Sequence, residues 1–164
     1  MHRSPFSRWL PGLVALAVLF VSRVALAAGT PEGYWTTIDD ETGNKKSVVQ
    51  IWKDEQGKLW GRIVKLYRQP GEEADPLCDK CKGSLNNQRI LGMTILRGLS
   101  IDGEEWSGGT IMDPNNGKTY SCYIKVVEDG QKLNLRGYIG VSLLGRTQTW
   151  LRATKPANEI EYLP

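Results

Sequence analysis

Residues 118–140, KTYSCYIKVVEDGQKLNLRGYIG, decide the fold. In 118–127, Tyr120, Cys122, Ile124 and Val126 fall on one face and Thr119, Ser121, Tyr123 and Lys125 on the other. In 132–140, Leu133, Leu135, Gly137 and Ile139 oppose Asn134, Arg136 and Tyr138. A period of two is that of a strand with one face in a core. Asp129-Gly130 between the two runs is a tight-turn dipeptide, so the segment reads as a β-hairpin. Working outward, the same punctuation recurs at Thr42-Gly43-Asn44, Glu55-Gln56-Gly57, Asp102-Gly103, Pro114-Asn115-Asn116-Gly117 and Leu144-Gly145. The segments between are rich in Val, Ile, Thr, Tyr and Trp, and predict eight strands at about 34–39, 46–53, 58–68, 89–97, 104–112, 118–127, 132–140 and 146–153. No window shows a helical period after the N-terminal leader. Eight sequential strands with short turns predict an all-β chain, a single antiparallel up-and-down barrel in which closure removes exposed edges. A β-sandwich is the alternative, because turn spacing alone does not separate the two.

Three stretches lie outside this pattern. Residues 1–27 read as a signal peptide: His2, Arg3 and Arg8 are the positive region, Leu10–Val21 the apolar run, and Ala25-Leu26-Ala27 the cleavage site before Ala28. The run is short for a membrane span and no later stretch approaches that length, so the expectation is a secreted, periplasmic or extracellular domain over 28–153 with no integral membrane segment after cleavage. Residues 69–88, QPGEEADPLCDKCKGSLNNQ, form a connection too long for an ordinary hairpin, read as a surface excursion stapled by its cysteines or a functional lid. Residues 154–164 read as a C-terminal tail.

Of the 21 Lys and Arg, three lie in the leader, leaving 18 against 18 Asp and Glu. A chain with no cationic excess does not displace counterions from nucleic acid, which argues against that partner. The one histidine, His2, is also in the leader. The domain therefore lacks the base of Ser-His-Asp and Cys-His catalysis and the imidazole of histidine metal sites. No catalytic residue, metal or cofactor is expected.

Cys78-Asp79-Lys80-Cys81 is a CxxC motif. In an exported chain a structural disulfide is the default, and a redox role would need a thiol activated at a helix N-terminus. Cys122 shares a strand face with Tyr120 and Ile124 and reads as a buried, inert thiol. Two acidic clusters, Asp39-Asp40-Glu41 and Glu72-Glu73-Asp75, fall in or beside turns, where carboxylates are usually solvated.

Gly33-Tyr34-Trp35 opens the first strand and Trp150-Leu151-Arg152 closes the last. A G-x-W at the start with an Arg on the final strand resembles the lipocalin signature. That resemblance implies that Trp35 plugs the closed end and Arg152 lies across it as a cation–π lid. The wider series resembles a family of small secreted bacterial proteins that is catalogued as a domain of unknown function, with a lipocalin-like (calycin-type) barrel. Its motifs are GYWTTIDDETGNKKSVVQI, PLCDKCKG, the W-x-G-G-T-I-x-D-P-N-N-G-K-T-Y run and LRGYIGVSLLGRTQTWLR, covering 33–153.

On the last strand Arg146, Gln148, Trp150 and Arg152 share one face; Arg136 and Tyr138 belong to the other dense polar–aromatic segment. If Arg152 points inward, so do the others. A buried Arg needs a partner, which is either a ligand's acidic head or an internal Asp or Glu. Arg146, Gln148, Trp150, Arg136 and Tyr138 are therefore the candidate ligand-binding residues. The expected function is a carrier or sensor for a small amphipathic or lipid-like molecule. The alternatives are a module that binds a protein or cell-wall partner, and a carboxylate-dependent hydrolase.

Overall fold

The computed structural model describes residues 29–162, so the predicted leader lies outside the described residues. Eight strands run up and down in chain order: β1 Gly33–Ile38, β2 Lys45–Lys53, β3 Leu59–Arg68, β4 Thr94–Asp102, β5 Glu105–Asp113, β6 Lys118–Val127, β7 Lys132–Tyr138 and β8 Arg146–Ala153. Each pairs antiparallel with the next, β8 returns to β1, and β2 pairs with β3, so the sheet closes on itself. Closure removes the β-sandwich alternative. Among the described residues, no helix is long and apolar enough to cross a membrane.

The hairpin at 118–140 is in perfect register from Ser121 opposite Tyr138 to Val127 opposite Lys132. Cys122, Ile124, Leu133 and Leu135 point into the barrel and are buried. The strands direct two sets of loops to opposite ends. At one end Trp35, Leu59, Leu99, Ile124 and Leu133 pack into a solid, fully buried core. Trp35 donates its Nε1–H to the Pro31 carbonyl at 2.7 Å. The Arg152 guanidinium lies 3.8 Å from the Trp35 ring centroid. It donates to the carbonyls of Gly130 (2.8 Å), Glu32 (2.9 Å) and Thr30 (2.7 Å), tying the N-terminal segment and the β6–β7 turn to the last strand. Burial pulls its pKa below the ordinary arginine value.

Several boundaries differ from the sequence reading, among them the seventh strand, which ends at Tyr138 rather than 140 and leaves Ile139 exposed instead of on the core face. The fourth strand runs 94–102 rather than 89–97. Gly98, with a positive φ of 71°, lies inside β4 as the extra residue of a bulge, where pairing with β3 steps from Leu59–Leu99 to Trp60–Arg97. The long connection consequently extends from 69 to 93. The tail is also more ordered than expected: Ile160–Tyr162 form a ninth strand, parallel to Leu66–Arg68 of β3. β4 pairs with β3 only along Leu59–Arg62, so the outer half of β3 would otherwise be an open edge on that side. Lys65, buried on the outer face, forms an ion pair with Glu161 that fastens this strand.

Cys78 and Cys81 are joined by a disulfide, and Cys122 is a free, buried thiol. The bridge is an anchor. Both sulfurs are buried, Cys81 Sγ lies 3.7 Å from Met112 Sδ, and Cys78 Sγ lies 3.4 Å from the Pro114 carbonyl. The connection therefore lies against the β5–β6 turn. Gly117 permits this approach: it has φ of 68°, and a Cβ there would stand 1.9 Å from the Lys80 carbonyl oxygen.

Candidate functional site

Opposite the Trp35–Arg152 end the barrel is hollow. A cavity of about 780 Å³ opens among the β1–β2, β3–β4, β5–β6 and β7–β8 loops and reaches down to Trp150. Ile63, Leu66, Ile95, Ile111 and Leu135 form its walls. Register shifts in β3 against β2 and in β4 against β3 are what bring Ile63 and Leu66, three residues apart, and Ile95 beside Leu96 to the inner face. Pro76 and Ile90 of the stapled connection line it from the mouth. One polar spot lies within the apolar wall, where the Thr37 and Ser47 hydroxyls are 2.7 Å apart and both residues are buried.

The rim is charged. Asp39, Asp40 and Glu41 come from the β1–β2 loop, Lys46 from β2, Arg68 from β3, Asp113 from β5 and Arg146 from β8. Asp40 is the hub: its Oδ2 lies 2.6 Å from an Arg146 nitrogen and accepts the Gln148 side-chain amide at 2.9 Å. Asp39 caps its own turn by accepting from the Thr42 amide and hydroxyl, and it faces Lys46 at 3.5 Å. These bonds, chiefly that from the Thr42 amide, hold its pKa down to about 2.

Arg146, Gln148 and Trp150 do lie together on the cavity side of β8. Trp150 is buried at the floor and donates to Gln148 Oε1 at 3.3 Å. Arg146 is at the mouth, with its side chain 66% exposed, so the desolvation argued from the sequence does not apply to it. An internal carboxylate already faces it. Tyr138 stands at the rim. Arg136 does not join them. It occupies the outer face between Tyr123 and Thr147, and its guanidinium donates to the Ser142 (2.7 Å) and Leu143 (3.0 Å) carbonyls and to the Thr147 hydroxyl (2.9 Å). The alternation that sends Leu135 and Gly137 inward sends Arg136 outward. Sequence reasoning missed Asp40 as a site residue, because a turn carboxylate carries no mark of the strand it will meet across the barrel mouth. The second acidic cluster is also engaged: Glu72 faces Arg68 at 3.4 Å and Asp75 faces Arg89.

A comparison with solved structures finds a similar barrel in protein HP1028 from Helicobacter pylori, described as belonging to the lipocalin family. The likeness has a TM-score of 0.65 at 20% identity and covers 77% of this chain and 85% of that one, which establishes a shared fold. A search of curated proteins finds no match. The family model described as "Uncharacterized protein conserved in bacteria (DUF2147)" matches residues 33–152, from the G-x-W glycine to the lid arginine. The chain belongs to that family.

Proposed function

We propose that this protein binds a small amphipathic, lipid-like molecule in the barrel cavity and serves as its carrier or sensor outside the cytoplasm. The observation that carries the reading is a cavity with one open end, aliphatic walls and a rim of both charge signs. Its volume falls within the range of about 300–1,000 Å³ usual for small-molecule sites. An apolar tail would lie against Ile63, Ile95, Ile111 and Leu135, with a polar head among Arg146, Gln148 and Asp40. The lipocalin-type barrel of the solved neighbour supports a binding role, and the leader-like composition of residues 1–27 supports export.

The test is titration with a dansyl-labelled fatty acid. Wild type should bind with saturable, blue-shifted emission. Ile111→Trp, which places an indole in the cavity, should bind at least about tenfold more weakly, the equivalent of about 1.4 kcal/mol. Equal binding by both proteins would remove the cavity as the site.

A further inference from the structure

Residues 139–145, Ile-Gly-Val-Ser-Leu-Leu-Gly, join β7 to β8 at the cavity mouth and carry no charged or aromatic side chain. Four aliphatic side chains in this segment are exposed: Ile139 by 68%, Val141 by 60%, Leu143 by 84% and Leu144 by 80%. Among the described residues, the other large apolar side chains left exposed, Leu77, Ile101 and Leu151, come singly. Ile139 and Leu144 also line the cavity, so the exposed patch runs continuously into its apolar wall.

We propose that this loop docks the barrel mouth onto a zwitterionic phospholipid bilayer, where the cavity exchanges its amphiphile; this rests on the cavity being an amphiphile site.

Two features select a bilayer over a protein partner. The first is how the loop's backbone is satisfied. The Val141 carbonyl accepts from the Leu144 amide at 3.2 Å, the Ser142 carbonyl from the Gly145 amide at 3.0 Å and from Arg136 Nε at 2.7 Å, and the Leu143 carbonyl from Arg136 Nη2 at 3.0 Å. Backbone carbonyls that enter hydrocarbon must be satisfied internally, and these three are. Arg136 thus braces the loop with the Leu143 and Leu144 side chains exposed at the mouth. The loop itself also lacks the Trp, Tyr and Arg anchors that dominate protein interfaces. The second feature is charge. The surrounding mouth presents Arg146 and Lys46 together with Asp39, Asp40 and Glu41. This pattern of both signs complements a headgroup that carries a phosphate and an amine.

The experiment is flotation on a density gradient with vesicles of phosphatidylcholine and phosphatidylethanolamine, at low and at 0.5 M salt. Wild type should float at both, because the contact is chiefly apolar. A Leu143→Asp/Leu144→Asp variant should show at least a tenfold smaller floating fraction. Both positions are solvent-facing, so a matching circular dichroism spectrum and melting curve will show that the variant is folded. Ile111→Trp should float like wild type, which separates docking from cavity binding: a protein that floats but binds no dansyl lipid keeps the docking surface and loses the cavity reading. Failure of wild type to float overturns the proposal even where dansyl lipid binds. So does equal flotation of the Asp variant. Self-association in solution that Leu143→Asp abolishes would assign the patch to a second copy and overturn it as well.

Discussion

Removing the guanidinium of Arg152 should destabilise the whole domain, and the contacts give the size of the effect. Arg152 contributes a cation–π contact to Trp35 at 3.8 Å and hydrogen bonds to three backbone carbonyls from two separate chain segments. A partly desolvated cation–π contact is worth about 1 kcal/mol. Each hydrogen bond is worth about 1 kcal/mol net, less where water reaches the abandoned carbonyl. Two of the three carbonyls, those of Thr30 and Glu32, lie on the N-terminal segment near solvent, so the total for Arg152→Ala is about 3 kcal/mol. With a urea m-value of about 2 kcal/mol/M, the midpoint should fall by about 1.5 M. Arg152→Lys keeps a cation over the ring and loses the forked geometry, so it should recover less than half of that loss. The assay is equilibrium urea unfolding followed by tryptophan fluorescence, since Trp35 and Trp150 are both buried. A midpoint shift below about 0.3 M for Arg152→Ala would refute the role of Arg152 as the clasp of the closed end.

Two further outcomes test other parts of the structure. Thiol titration without reductant should find no reactive group in native protein and one in denaturant: Cys78 and Cys81 are bridged, while Cys122 is fully buried and its pKa is pushed up to about 12 by that burial. Three groups in denaturant would refute the bridge, and a thiol reactive in the native state would refute the burial of Cys122. Asp39 has a folded-state pKa depressed from 3.8 to about 2, so its contribution is present above pH 4 and is lost as pH falls towards 2. Asp39→Asn should flatten the acid limb of the stability profile in that window; an unchanged limb would mean that the Asp39 turn is not coupled to folding.

The barrel was legible because alternation is strict where both partners of a hairpin are regular, as at Tyr120–Val126 and Leu133–Leu135. It failed where glycine stands inside a strand. Gly98 carries the same mark as a turn glycine, and only its place as a bulge residue in the pairing with β3 shows that the strand continues through it. β9 was invisible because three residues in a proline-containing tail have no period of their own; the strand exists because β3 leaves an edge to cover. For the site, period two placed Arg146, Gln148 and Trp150 on one face correctly. It also put Arg136 and Tyr138 on the face opposite Leu135, the outer one; Arg136 lies there, whereas Tyr138, the last residue of β7, reaches the cavity rim. Asp40 is 108 residues from Gln148 and meets it only when β1 closes against β8. The exposed apolar loop was written in the sequence as IGVSLLG, yet its meaning depended on knowing that it borders a hollow end rather than the solid one.

Native mass spectrometry of the protein purified from its own host tests ligand binding most directly. A folded chain lacking Met1–Ala27 and carrying one additional mass of a few hundred daltons, removable by organic extraction and absent from Ile111→Trp, is the predicted result. An unliganded chain that also takes up no member of a panel of fatty acids, lysophospholipids and phospholipids would contradict it.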